Sequence, residues 1–164
     1  QRYRDNKAIE NPCLPADNEP ALPGRVVKLR DDMLEFAEAP RAVLVLDEHG
    51  EPLKAGDPHR FFEASWMHKY NGKYYLSYST GDTHFLCYAI GDNPYGPFTY
   101  QGVILTPVVG WTTHHAIVEY KGKWYLFHHD CVPSGGKTWL RSLKVVELEY
   151  DAEGKIITID GGGE

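Results

Sequence analysis

At 164 residues the chain is long enough to bury a sizeable core, and its 42% hydrophobic and 24% charged residues exclude both a disordered tract and a membranous composition. A formal net charge of -6, with no clustered Lys and Arg, argues against a nucleic-acid backbone as partner. The 13% aromatic content, with eleven Tyr and four Trp, suits strands and also suits apolar platforms for flat sugar faces.

Residues 1–23 carry Asn11-Pro12, Leu14-Pro15, Glu19-Pro20 and Leu22-Pro23 without hydrophobic periodicity, and are predicted to form an irregular Pro-rich arm. The chain opens on Gln1-Arg2-Tyr3 with no apolar leader and contains no apolar run long enough to span a bilayer. It reads as a piece of something longer, so its compartment is left open. Residues 24–164 read differently. The runs Arg25–Leu29 and Ala42–Leu46 are predicted strands separated by a turn around Asp31-Asp32, with a single helical turn near Asp32–Ala37, and Asp47–Gly50 closes the second run.

Two fuller units follow. The first is predicted to hold strands at Trp66–Lys69, Lys73–Ser79, Phe85–Ile90 and Thr99–Leu105, with Gly91–Pro97 as a turn cluster. The second has strands at Ala116–Glu119, Lys123–His128, Trp139–Glu149 and Lys155–Ile159. The two are copies: Tyr70-Asn71-Gly72-Lys73-Tyr74-Tyr75-Leu76 recurs as Tyr120-Lys121-Gly122-Lys123-Trp124-Tyr125-Leu126. A repeat of this length, with strands flanking an Asn-Gly or Lys-Gly turn, is the pattern of stacked four-stranded propeller blades. Upstream of the copies lie Phe61-Phe62-Glu63-Ala64-Ser65-Trp66 and Trp111-Thr112-Thr113-His114-His115-Ala116. Glu63 and His114 therefore occupy nearly equivalent places, which in a propeller converge on the central axis.

Cys13, Cys87 and Cys131 are widely spaced and form neither a disulfide framework nor a zinc motif. Cys87, within Phe85–Ile90, reads as a buried free thiol on a strand.

The run Phe61–His68, the stretch Tyr78–Gly81, the turn Asn93–Phe98, the Thr113-His114-His115 strand head and the late Leu140–Val145 together resemble glycoside hydrolase family 43. The resemblance covers roughly residues 24 to 160. It implies an all-β fold: a partial β-propeller, about two and a half four-stranded blades of a five-bladed family fold, the C-terminal part only. It implies a hydrolase of the β-xylosidase or α-L-arabinofuranosidase type, acting in xylan degradation on xylo- or arabino-oligosaccharides by inverting acid-base hydrolysis.

Glu63 is the candidate general acid, because a glycosidase needs a carboxylic acid kept protonated near neutral pH and Phe61, Phe62 and Trp66 offer an apolar setting. His114 and His115 are adjacent on a predicted strand, so their side chains face opposite ways. By resemblance His114 faces the axis beneath the sugar, where it contacts water or helps hold a Ca²⁺ ion. Also by resemblance, Arg141 reaches the site and pairs with a carboxylate. Trp66 is expected to line the sugar pocket, the alternative being a core Trp between blades. His84 and Phe85 are weaker candidates for a pocket wall. His114, His128, His129 and Asp130 invite a zinc reading, yet their spacing fits no zinc pattern.

An inverting glycosidase also needs a base, about 6.5–9.5 Å from the acid so that water fits between them. Asp5, Asp17, Asp31, Asp32, Asp47 and Asp57 all precede Glu63 in turn-like or Pro-rich settings, and none begins an inner-strand pattern. By resemblance the base, and a further Asp that orients the acid, head strands N-terminal to the acid, so the resemblance implies that the base lies outside this chain. Open blade faces predict self-association or a partner chain supplying the missing blades. The alternative is a non-catalytic propeller fragment that binds carbohydrate. A related fold handling fructosides fits the Thr113-His114-His115 pattern less well.

Overall fold

The computed structural model describes residues 2–4, 7–9, 14–111 and 113–163; Cys13, Asp5, Asn11-Pro12 and Thr112 lie outside it. Within the predicted arm, β1 (Arg2–Arg4) pairs antiparallel with β2 (Lys7–Ile9). The expectation of an irregular arm falls in part on residues outside the described set.

β3 (Gly24–Val26) and β4 (Arg41–Val43) form a two-stranded antiparallel sheet. Each predicted run here is shorter than expected. The first ends at Val26, and Leu29 makes only an isolated bridge to Phe36. The second splits: Val43 ends β4, while β5 (Val45–Leu46) leaves to pair in parallel with another sheet. Val43 and Val45 are both buried while Leu44 between them is exposed, so one run serves two sheets through alternate side chains. The predicted helical turn near Asp32 is instead a bend in which Leu34 N–H donates to Asp32 Oδ1 at 3.0 Å.

β6 (Glu63–Tyr70), β7 (Lys73–Ser79), β8 (Leu86–Gly91) and β9 (Phe98–Leu105) form an antiparallel meander, extended at its outer edge by β5. β10 (His115–Tyr120), β11 (Lys123–Asp130) and β12 (Ser142–Leu148) form the next blade. The hairpins that begin the two blades are built alike. Asn71 and Gly72 have φ of 46° and 80°, Lys121 and Gly122 have 53° and 79°, and such paired positive φ values match the twist of the flanking strands.

The first blade is buried on both faces. Tyr78, Cys87, Ala89 and Phe98 pack toward Val43 and Val45, whereas Tyr75, Leu86, Tyr88 and Leu105 pack toward Ile117, Leu126 and Leu148 of the second blade. Each fully buried large side chain contributes roughly 1.5–3 kcal/mol, so the joint between blades carries a large share of the stability. Double burial also explains why β7 and β8 read as near-continuous apolar runs. Cys87 is fully buried on β8, and burial pushes its thiol up to about 12.

The second blade departs from expectation at its outer edge. Lys137–Leu140 form a turn before β12, closed by Leu140 N–H donating to the Lys137 carbonyl, so the predicted strand begins only at Ser142. Lys155–Ile159 forms no regular strand. It makes one antiparallel bridge to the end of its own blade, Tyr150 to Ile156, with Ile157 N–H donating to the Glu149 carbonyl, and then crosses to the first blade, with Ile159 N–H donating to Ile104 O and Ile156 N–H to Tyr88 Oη.

Candidate active site

Glu63 opens β6 opposite Ser79, and the register slips between Glu63 and Trp66. Ala64 sits inside this bulge with φ 57°, a left-handed conformation that re-aims the strand head and its side chain. Trp66, just beyond, donates its indole N–H to the Ile117 carbonyl at 3.0 Å. It ties the head of one inner strand to the next blade and remains 37% exposed.

The head of β10 is anchored on both sides. Ser79 Oγ donates to the Thr113 carbonyl at 2.6 Å, and Thr113 Oγ1 donates to the His129 carbonyl at 2.8 Å. His114 N–H donates to His129 Nε2 at 3.1 Å, so that nitrogen is the unprotonated one. These ties bring Glu63 Oε1 to 3.6 Å from His114 Nε2, with the two side chains 40% and 57% exposed. His115 faces the other way, into the joint between blades, where its Nε2 lies 2.6 Å from Ser77 Oγ and burial pushes its imidazole down to about 3.

The Thr138 carbonyl accepts from Arg141 Nε at 3.0 Å, and Arg141 Nη1 lies 3.4 Å from His129 Nε2. The ion pairs among the described residues include none between Arg141 and a carboxylate. The apolar enclosure expected around Glu63 is likewise incomplete within this chain: Phe62 is 53% exposed, and Phe61 is turned toward Gly24 and Tyr78. Asp32, Asp47 and Asp57 accept backbone N–H groups of their own turns, as ordinary loop carboxylates do.

One carboxylate at a strand head, a histidine across from it on the adjoining strand and an arginine beside a second histidine make up the site, and the match with known proteins decides the family. The model of glycosyl hydrolases family 43 matches residues 23–156. The chain belongs to family 43.

A xylosidase/arabinosidase of Bacteroides ovatus is 78% identical over the whole of this chain, which spans 51% of that protein. A solved β-xylosidase is 72% identical with TM-score 0.89, covering 99% of this chain and 50% of that one. A family 43 β-xylosidase/α-arabinofuranosidase from a compost microbial metagenome, solved with xylotriose in a calcium-free form, is 62% identical with TM-score 0.86, covering 88% and 44%. The chain thus spans about half the length of the relatives it matches, and its fold is part of the family 43 propeller.

A calcium ion takes about six to eight oxygen ligands. Among the described residues no group of three or more His, Cys, Asp or Glu is placed to hold a metal, and His114 offers a nitrogen. The described residues do not fit a calcium cage by themselves. Nor do His114, His128, His129 and Asp130 converge. His128 and Asp130 point into the joint between blades, where Lys144 Nζ lies 2.5 Å from Asp130 Oδ2, while His129 faces Arg141. Burial favours a raised Asp130 carboxyl, but Lys144 and the Val132 N–H outweigh it and hold the group below its ordinary value.

Sequence reasoning gives His129 only as part of a zinc-like cluster and assigns Trp111 no role. His129 lay hidden in the zinc-like cluster, and alternation along β11, which sends it to the opposite face from His128, is the signal that separates them.

Proposed function

We propose that this chain is the acid-bearing part of a family 43 glycosidase acting on xylose- or arabinose-containing glycosides. The observation that carries the reading is Glu63 Oε1 at 3.6 Å from His114 Nε2, on strand heads joined through Ser79 and Thr113. In this reading residues 24–164 supply the blades. Glu63 donates a proton to the leaving oxygen, His114 orients the carboxyl or a water beside it, and Arg141, aimed by His129, contacts the sugar. Trp66 braces Glu63 against the next blade and offers its exposed edge to the pocket. A second carboxylate, contributed from outside these residues, activates water on the opposite face of the sugar, giving inversion.

The half-length match supports a partner that supplies the remaining blades, and the apolar face of the second blade supports it too: Val118, Tyr120, Leu143 and Val145 are all exposed. The same observation favours a second reading, in which the chain alone binds carbohydrate without turning it over.

Turnover of xylobiose and of methyl α-L-arabinofuranoside, whose leaving groups need a proton, separates the two. It is measured on the purified chain, and on its mixture with a polypeptide carrying the other half of the Bacteroides ovatus relative, with the mass in solution determined on each sample. Hydrolysis by the mixture that falls about 10²–10⁴-fold in Glu63→Gln supports the proposed acid. An active mixture unaffected by Glu63→Gln sinks that assignment. A folded one-to-one complex that binds sugar without hydrolysis favours the second reading.

A further inference from the structure

Trp111 lies two residues before Thr113, whose carbonyl is held by Ser79, the register partner of Glu63. Its indole is 59% exposed, although a ring of that size gains much from burial. The exposed ring is not loose: its centroid lies 4.7 Å from that of His84, which backs it.

His84 holds φ 56°, a conformation that non-glycine residues seldom adopt. The loop around it is over-determined. Thr80 N–H donates to the Phe85 carbonyl and Phe85 N–H to Thr80 Oγ1, each at 2.9 Å, while Thr83 Oγ1 donates to the Pro58 carbonyl at 2.5 Å. Strained backbone held this firmly is characteristic of places where a side chain must be presented in one orientation. Here the result is a braced aromatic face at the same strand ends that carry Glu63 and His114.

We propose that Trp111, braced by His84, is a stacking platform for a xylopyranose ring adjoining the glycosidic bond; this rests on the reading of Glu63 as the acid. A xylopyranose chair with equatorial hydroxyls presents broad faces made of C–H bonds, which match the face of an indole. An arabinofuranose ring is puckered and carries substituents on both faces, so it stacks less well. The platform therefore biases this end of the site toward xylose units.

The test is binding rather than turnover, so it is decided whether or not Glu63 donates a proton. Xylobiose, and separately methyl α-L-arabinofuranoside, are titrated into the purified 164-residue chain, with affinity read by calorimetry and the Trp111 indole resonance, assigned by its loss in Trp111→Phe, followed by NMR. The expected result is a shift of that resonance by xylobiose and a loss of at least about tenfold in affinity in Trp111→Ala, with most affinity kept in Trp111→Phe and weaker binding of the arabinofuranoside. The proposal is overturned by a folded wild-type chain that binds no xylobiose, by an unshifted Trp111 resonance when xylobiose is bound, or by wild-type affinity in Trp111→Ala. If Trp111→Ala fails to fold, the Trp111 resonance of the wild-type chain decides alone.

Discussion

Ser77 Oγ and His115 Nε2 lie 2.6 Å apart across the joint between β7 and β10. Ser77 is fully buried, and its hydroxyl is the partner that leaves His115 with one satisfied ring nitrogen, since His115 Nδ1 has none among the described residues. Around this pair run Trp66 to Ile117 O, Ser79 to Thr113 O and His68 Nε2 to Tyr150 Oη at 2.7 Å. The two blades are stitched by side-chain hydrogen bonds as well as by apolar packing.

Ser77→Ala removes the partner and strands the imidazole. It is expected to cost about 1–3 kcal/mol, the penalty for an unsatisfied buried polar group. A lowered urea midpoint with an unchanged slope checks this, and a midpoint equal to that of the unsubstituted chain contradicts it.

Acid should loosen the same joint. Burial pushes His68 down to about 4 and His115 to about 3, while an unfolded histidine titrates near 6.5. The stability tied to these neutral rings is complete above about pH 6.5 and is lost as pH falls toward 4 and 3, because the unfolded chain takes up protons that the folded one refuses. Urea midpoints measured from pH 7 to pH 5, above most carboxylate titrations, should decline; a flat response contradicts the assignment.

Asp130 is fully buried at the end of β11, and Lys144 on β12 is its ion-pair partner. Lys144→Met leaves a buried carboxylate without its cation and is expected to cost on the order of 3 kcal/mol. Adding Asp130→Asn in the same chain should recover part of the loss, which thermal unfolding of the single and double variants would show.

At the bulge, Ala64→Gly is expected to be neutral or stabilising by up to about 1 kcal/mol, because glycine adopts a φ of 57° without steric cost. Ala64→Val should destabilise. Equal melting temperatures for the two variants would argue against a left-handed residue at this position.

The proposed acid makes a chemical prediction as well. In an active assembly, Glu63→Gln should slow xylobiose hydrolysis about 10²–10⁴-fold, yet slow an aryl xyloside with a very acidic phenol much less, since that leaving group departs without a proton. Equal losses on both substrates would point to a structural role for Glu63.

What was legible in the sequence was local. The Asn71-Gly72 and Lys121-Gly122 turns demand positive φ, so they defined both hairpins, and β7 spans the predicted Lys73–Ser79. Strand alternation alone sends His114 and His115 to opposite sides. Glu63 and His114 stood out for the same reason: a repeat places equivalent residues at equivalent points of a stacked fold.

Long-range pairing was decided only in three dimensions. No local signal shows that Leu44 separates two strands belonging to different sheets, or that Lys155–Ile159 makes one bridge to its own blade and then crosses to β9. Nor does one show that His129 is shared between His114 and Arg141, or that a strained His84 braces Trp111. Turn geometry and strand period are properties of neighbouring residues, so the sequence by itself determined the hairpins and the repeat, while the acid candidate came from the repeat taken together with the family resemblance. Which edges pair and which side chains meet across a joint depends on how much buried surface each alternative gains, and that is set by the assembled blades.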